Sequence, residues 1–453
     1  MKTGYNLPHH RSSKDIEPRL PKHPALLQSF LKNFMIEPEK ATRGPFGWLL
    51  NSVTLFVISL IATAVLWSLR TEGAFWIEVC FVLSTAVAIA ILIGEACDPF
   101  ADAAQWVGVQ LRVPSSVRGA TLDAVASSMP ELFTGIFFVS IALTGSTDQA
   151  AQLAETAEGY GSTIATCAGS SIYNLVLIPA VCALAVSFYR PSKPFVAIER
   201  DVVNRDGVWV IVVQFGLLYF LFQPELHWWM GVIALVAYAI YVAHLYLATR
   251  AYRRKLAAAN IEVEEPNDEA SVLFGYFDIK LNRVTATMVL LGATIVAAAA
   301  CYLLVELTNS SAEKLGVSPF FVAVILTAAV SSIPDTFMSL GSSLRGDDSG
   351  AVSNVFGSNI FDICIGMSIP LLVCCYLNSW EPVALVGEDG QTMAGVVGLR
   401  VLLFFLSVCA LSSMWYFRKI TRKTAFVFCG LYLIFVGYAV VGGMIERGVL
   451  AWG

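Results

Sequence analysis

Ser318-Pro319-Phe320-Phe321, then Ser331-Ser332-Ile333-Pro334-Asp335, a short polar turn, and Gly357-Ser358-Asn359-Ile360-Phe361-Asp362 form the stretch that decides how this chain folds. Two apolar segments, each long enough to cross a bilayer, carry a carboxylate near the middle. A hydroxyl precedes each acid by four residues, Ser331 before Asp335 and Ser358 before Asp362, which sets the pair on one helix face. Pro334 removes a backbone hydrogen bond inside the first segment and frees a carbonyl for another partner. An ionisable group at that depth costs several kcal/mol or more, which makes it a functional candidate ahead of a merely structural polar pair.

The chain contains this pattern twice. Residues 119–180 read Gly119-Ala120-Thr121-Leu122, Ser127-Ser128-Met129-Pro130-Glu131, an acidic turn placed over 145–160, and Gly169-Ser170-Ser171-Ile172-Tyr173-Asn174. Ser-Ser-x-Pro-acid followed by Gly-Ser-x-Ile-aromatic-Asn/Asp recurs in the same order, which is an internal repeat. Interrupted hydrophobic segments at matching places in two halves point to a carrier with its site at the repeat interface.

Composition agrees. Of 453 residues, 57% are hydrophobic and 14% charged, against about 25% charged in soluble domains, and the mean hydropathy is +0.68. This is a polytopic membrane protein, all α-helical. The ten cysteines lie mostly in apolar segments without a CxxC pair, as lipid-buried small residues do. Apolar segments fall at roughly 48–69, 73–95, 119–144, 161–188, 207–223, 228–248, 284–307, 318–344, 351–376, 397–416 and 425–443. That makes one extra N-terminal helix and two groups of five. The expected organisation is a cytoplasmic arm 1–47, the extra helix 48–69, a first repeat 73–248, a connector 249–283, a second repeat 284–443 and a tail 444–453. In the arm, Leu26, Leu27, Phe30, Leu31, Phe34 and Met35 recur at helical spacing, which fits either an interfacial helix or a disordered tail. The connector, with Glu262, Glu264, Glu265, Asp268 and Glu269, reads as a solvated linker without EF-hand spacing.

Basic residues concentrate in the arm and in every second loop: Arg112 and Arg118; Arg190, Lys193, Arg200 and Arg205; Arg250, Arg253, Arg254 and Lys255; Arg418, Lys419, Arg422 and Lys423. The positive-inside rule then puts the N-terminus in the cytoplasm and the C-terminus on the opposite side. Five helices per half is an odd number, so the repeats are inverted.

Together the two hairpins offer Glu131, Asp335 and Asp362 as carboxylates, Asn174 as an amide, and Ser127, Ser128, Ser170, Ser331, Ser332 and Ser358 as hydroxyls. An all-oxygen set suits calcium, sodium or potassium and not zinc or copper. No Lys or Arg in these segments could recognise an anion. The expected partners are small inorganic cations and membrane lipid, with no cofactor and no nucleic acid.

The paired motifs resemble the alpha repeats of the calcium/cation antiporter superfamily, the sodium/calcium exchangers, and Ser-Ile-Pro-Asp with Phe361-Asp362 is most similar to the potassium-dependent branch. The resemblance implies that Glu131 and Asp335 are the central calcium ligands. It implies that Ser127, Ser128, Ser331 and Ser332 supply oxygens to calcium or sodium. Ser170, Asn174, Ser358 and Asp362 would complete the sodium sites and, in that branch, the potassium site. Ala126 and Val330 stand where family members often have glycine, which leaves the sharpness of the helix breaks open. Asp123 is an extra acid, placed either on the cytoplasmic access path or near the headgroups.

The function so implied is calcium exchanged for sodium by alternating access, with potassium co-transport as a further possibility. The rivals are a proton/calcium exchanger, a cation channel and an intramembrane protease. Hydroxyls crowded around the acids fit desolvated sodium better than proton carriage, and acids in both inverted halves fit alternating access better than a pore. A protease lacks Gly-x-Gly-Asp or a histidine at plausible depth, so no enzyme is expected. No phosphate loop of the Gly-x4-Gly-Lys-Ser/Thr kind is present, so ATP is not expected to drive transport.

Overall fold

The structure, a computed structural model, describes residues 52–69, 75–111, 113, 115–145, 149–259, 268–385 and 395–446. The arm residues 26–35, the connector acids Glu262, Glu264 and Glu265, and the tail beyond 446 lie outside the described residues. Residues from Leu55 onward form one compact unit.

Helix α1 is Ser52–Ser68 and α2 Phe75–Gln110. Helix α3 covers 115–145, α4 149–189, α5 Arg200–Leu221 and α6 Trp228–Ala259. In the second half α7 is Arg283–Leu315, α8 covers 319–331, α9 is Ile333–Arg345, α10 Asp348–Leu377, α11 Val396–Phe417 and α12 Arg422–Glu446. With α8 and α9 as one segment, ten helices among the described residues are long and apolar enough to cross a membrane. They make up two inverted five-helix repeats. Helix α1 has seventeen residues, about 25 Å, somewhat short of a hydrocarbon core of about 30 Å.

Local chemistry sets the ends. Asn282 caps α7 reciprocally with Thr285, accepting from the Val284 and Thr285 amides at 2.9 and 3.0 Å. Ser318 accepts from the Phe320 amide at 3.2 Å, with Pro319 in the first turn of α8. Helix α9 stops at Gly346, whose φ of +95° suits glycine, and Asp347 caps α10 by accepting from the Gly350 amide at 2.8 Å.

Two expectations need correction. The acidic turn of the first repeat does not extend over 145–160, because α4 is already helical from Gln149. Gln149-Ala150-Ala151-Gln152-Leu153-Ala154 are good helix formers, and their polarity marks the limit of the apolar window without ending the helix. The connector is not a plain solvated linker either: α6 continues to Ala259, and β3 (Glu269–Val272) pairs antiparallel with β4 (Phe277–Lys280). This hairpin packs Ala270, Ile279 and Leu281 against Ala103 and Trp106 of α2. At its tip the Phe274 amide donates to Glu95 Oε2 at 3.0 Å.

Two small sheets join the halves. β1 (Phe195–Ala197) pairs with β6 (Lys419–Thr421), and β2 (Glu225–Leu226) with β5 (Val383–Ala384). A core of Phe81, Ile89, Ile93 and Cys97 on α2 with Ala300, Cys301 and Leu304 on α7 packs the first helix of each repeat against the other. The deepest interlock is between the hairpins. A Cβ on Gly169 of α4 would come within 2.6 Å of the Val324 carbonyl oxygen, and one on Gly357 of α10 within 2.6 Å of the Ala120 carbonyl oxygen. Only glycine permits such an approach, and the motif supplies it at the same place in each repeat.

Candidate cation site

Each repeat widens its helices at two matching places, and the first repeat carries a further π turn at Val203–Gly207 in α5. A π turn opens α3 at Gly119–Asp123 and α8 at Ala323–Thr327, each beginning twelve residues before the acid (119 to 131, 323 to 335). A second pair opens α4 at Tyr173–Leu177 and α10 at Asp362–Gly366, where the Ile178 amide donates to the Tyr173 carbonyl and the Met367 amide to the Asp362 carbonyl. Such turns gather at functional sites because they shift the facing of the side chains and release backbone groups. Pro130 and Pro334 add to this, since neither supplies the amide that the carbonyls of Ala126 and Val330 would otherwise receive.

These devices bring the ten predicted side chains together, and none has any exposed surface. Ser170 is the hub. Its hydroxyl is 3.1 Å from Glu131 Oε1, 2.8 Å from Asp362 Oδ2 and 2.8 Å from the Ser332 hydroxyl. Ser332 donates to the same Glu131 Oε1 at 3.1 Å. Ser358 donates to Asp335 Oδ1 at 2.5 Å. The Asn174 amide lies 3.4 Å from Asp335 Oδ2, Asp362 Oδ2 and Ser170 Oγ alike. Ser127 faces Asp335, Ser128 faces Asp362 and Ser331 faces Glu131, so each repeat also turns hydroxyls toward acids of the other.

The acceptors outnumber the donors. Among the described residues, the acceptors Glu131 Oε2, Asp362 Oδ1 and Asn174 Oδ1, and the Ser128 hydroxyl, are buried without a hydrogen-bond partner. Each such atom costs about 1–3 kcal/mol, more where it carries charge. No three acidic, histidine or cysteine side chains among the described residues are gathered closely enough to hold a metal by themselves. The arrangement is a mixed set of carboxylate, amide and hydroxyl oxygens, the chemistry of hard cations.

Asp123 is not among these groups. It is half-buried at the first π turn, beside Gln105 and Arg118. The structure adds residues that the motif reading passed over. Ser171 and Asn359, the variable positions of the two Gly-Ser-x-Ile motifs, hydrogen-bond to each other, and Gln214 of α5 donates to Ser171 at 2.9 Å. Asn354 donates to Ser339 at 3.0 Å and to the Asp335 carbonyl at 3.4 Å. Thr336 donates to the Tyr173 hydroxyl at 3.2 Å. Matched positions in both repeats were the one available signal, and it reaches Ser171 and Asn359 alone.

Comparison with known proteins bears on the same residues. A sodium/potassium/calcium exchanger 1 from Bos taurus is 33% identical over 161 residues, 36% of this chain and 13% of that protein. A human sodium/potassium/calcium exchanger 2 is 34% identical over 149 residues, 33% of this chain and 21% of that one. The match thus spans well under a quarter of the length of these relatives. In fold, the chain is similar to the crystal structure of the H+/Ca2+ exchanger CAX, with a TM-score of 0.59, 16% identity, and coverage of 88% of this chain and 91% of that one. The model of the family described as "Sodium/calcium exchanger protein" matches residues 46–247 and 285–441, which hold both copies of the motif. The chain is an integral multi-pass membrane protein and belongs to the sodium/calcium exchanger family.

Proposed function

We propose that this protein is a secondary active antiporter that exchanges calcium for sodium by alternating access. The observation that carries the reading is the fully buried oxygen site to which both inverted repeats contribute, with Ser170 of the first repeat reaching Asp362 of the second and Ser332 of the second reaching Glu131 of the first. Glu131 and Asp335 hold calcium from the two sides. Ser127, Ser128, Ser331 and Ser332, with the freed carbonyls beside the prolines, replace water around calcium or sodium. Ser170, Asn174, Ser358 and Asp362 complete the monovalent positions. Rocking one repeat against the other exposes this site to one side at a time.

Charge balance refines the substrate. Three ionised carboxylates around one divalent ion leave about −1, an imbalance costing several kcal/mol at membrane depth. A monovalent cation travelling with calcium removes it, and the named relatives make potassium the candidate. An empty site carries an even larger uncompensated charge and does not cross, so exchange is obligatory. The basic loops around 190–200 and 418–423 meet in the β1–β6 pair, which supports a common cytoplasmic face for them and a cytoplasmic N-terminus.

Sodium-loaded vesicles diluted into sodium-free buffer should accumulate radioactive calcium, more so with external potassium. Uptake driven equally well by a proton gradient and indifferent to sodium makes the protein a proton/calcium exchanger instead. A cysteine at position 152 should react with an impermeant thiol reagent from outside and one at the exposed position 345 from the cytoplasm alone, in a background without reactive native cysteines; labelling of both from one side refutes this orientation.

A further inference from the structure

Arg400, in the second turn of α11, is a cation that the exchange site does not use. It is 8% exposed, and its Nε has no hydrogen-bond partner among the described residues. No carboxylate of the described residues pairs with it. Its guanidinium lies over the Phe222 ring at 5.0 Å. A guanidinium at this depth, with its Nε buried and without a hydrogen-bond partner and no carboxylate of the described residues beside it, is costly and suits an anion.

Directly along the same two helices runs a groove of about 130 Å³. Ile211, Gln214 and Leu218 of α5 form one wall and Phe404, Ser407 and Leu411 of α11 the other. The register is continuous: Phe222 follows Leu218 by one turn, and Arg400 precedes Phe404 by one turn, so the cation heads the groove. Exposed Phe215, Phe404, Val408 and Trp415 rim it on a surface where these spanning helices meet hydrocarbon. At the Arg400 end, exposed Phe222, Trp228, Tyr376 and Trp380 gather around the β2–β5 pair, as aromatic side chains do at headgroup level.

We infer that Arg400 and the α5–α11 groove form a phospholipid site, with an anionic headgroup phosphate on the guanidinium and an acyl chain between the helices. The cation answers the headgroup charge, and the groove beneath it, lined mostly by apolar side chains beside Gln214, Ser407 and Ser412, suits hydrocarbon. The groove floor reaches the exchange machinery in few steps, because Gln214 donates to Ser171, which bonds Asn359, and these adjoin Ser170 and Ser358. A lipid that fixes α5 against α11 therefore fixes the donor that orients the hairpin contact.

The test is phosphatidylglycerol retention by the full chain, purified in detergent from phosphatidylglycerol/phosphatidylcholine liposomes and weighed by native mass spectrometry. Wild type should keep the anionic lipid, Arg400→Lys should keep most of it, and Arg400→Gln should lose it at least about tenfold, as expected for one charge-assisted contact. Ser407→Phe, which fills the groove and leaves the cation, should lose it too. Each variant is checked for monodispersity and thermal midpoint, and Leu218→Trp on the facing wall replaces Ser407→Phe if that fails to fold. Undiminished retention in Arg400→Gln or in the filled groove overturns the site. Binding of inorganic phosphate without lipid retention means a free-anion site and also overturns it. The same holds if wild type keeps no lipid until Glu388→Gln with Asp389→Asn is introduced, since the chain's own acids then satisfy the arginine. Retention does not depend on the exchange reading. A second measurement does rest on it: calcium uptake should rise with phosphatidylglycerol content in wild type and lose that dependence in Arg400→Gln.

Discussion

The two repeats carry one motif and build it differently. In the first, the helix from Ala124 to Gly145 runs through Pro130 without a stop. In the second, α8 ends at Ser331, Ser332 leaves the helical region with φ −86° and ψ 5°, and α9 starts at Ile333. The local difference that accompanies the break is Ile333 before Pro334, where the first repeat has Met129 before Pro130. A pre-proline residue resists the helical region, and a β-branched one has less freedom to accommodate it. The other difference is chemical: Asn174 stands where the second repeat has Asp362, and it donates toward both Asp335 and Asp362. A pseudo-symmetric cage thus becomes a polarised one, with two carboxylates and an extra backbone opening on the second-repeat side. Matched substitutions in the two repeats should therefore act alike where the halves agree and unequally where they differ.

The largest effect should come from the acids that the halves share. Glu131→Gln and Asp335→Asn keep shape and remove a charge, so each should take calcium uptake to background while the protein still reaches the membrane, measured by flux against surface labelling. Substantial transport in both single variants removes these residues from the site.

Next is the exchange of the unequal pair. Asp362→Asn should abolish potassium dependence and leave some sodium/calcium exchange. Adding Asn174→Asp restores the carboxylate count from the other side, and uptake titrated with external potassium should recover part of its response. Wild-type flux that ignores potassium throughout the titration would make Asp362 a protonated, structural acid.

The glycine contacts probe what the halves have in common. Gly169→Ala and Gly357→Ala each push a methyl against a backbone carbonyl at 2.6 Å, a contact that flexible side chains cannot relieve. Each should cost about 1–3 kcal/mol of stability, read as a lowered thermal midpoint in detergent. A large loss in one and none in the other would deny the equivalence of the two interlocks.

The smallest contrast lies in the prolines. Pro334→Ala restores an amide where the helix is broken, and should slow calcium uptake roughly tenfold, about 1.4 kcal/mol. Pro130→Ala restores one where the helix already continues, and should slow it only about two- to threefold. Equal effects would mean that the break at Ser332 has no part in transport.

Much of this protein was legible before any coordinates. Bilayer thickness and the cost of bare backbone groups in hydrocarbon leave apolar helices as the way for this chain to cross, so composition alone announces the spans. The duplicated motif named ten oxygen side chains that the fold buries, because an acid at membrane depth is too expensive to be incidental. What the sequence could not give is who meets whom. Ser170 reaches Asp362 across 192 residues and Ser332 reaches Glu131 across 201, and no periodicity encodes partners so distant. The pairing of Ser171 with Asn359, the break at Ser332 beside an unbroken α3, and the docking of a connector hairpin on α2 are likewise decided by packing. Local pattern fixes which faces are polar and how long each helix is, while the choice among partners depends on close approaches such as Gly169 on Val324 that exist only once the repeats are assembled.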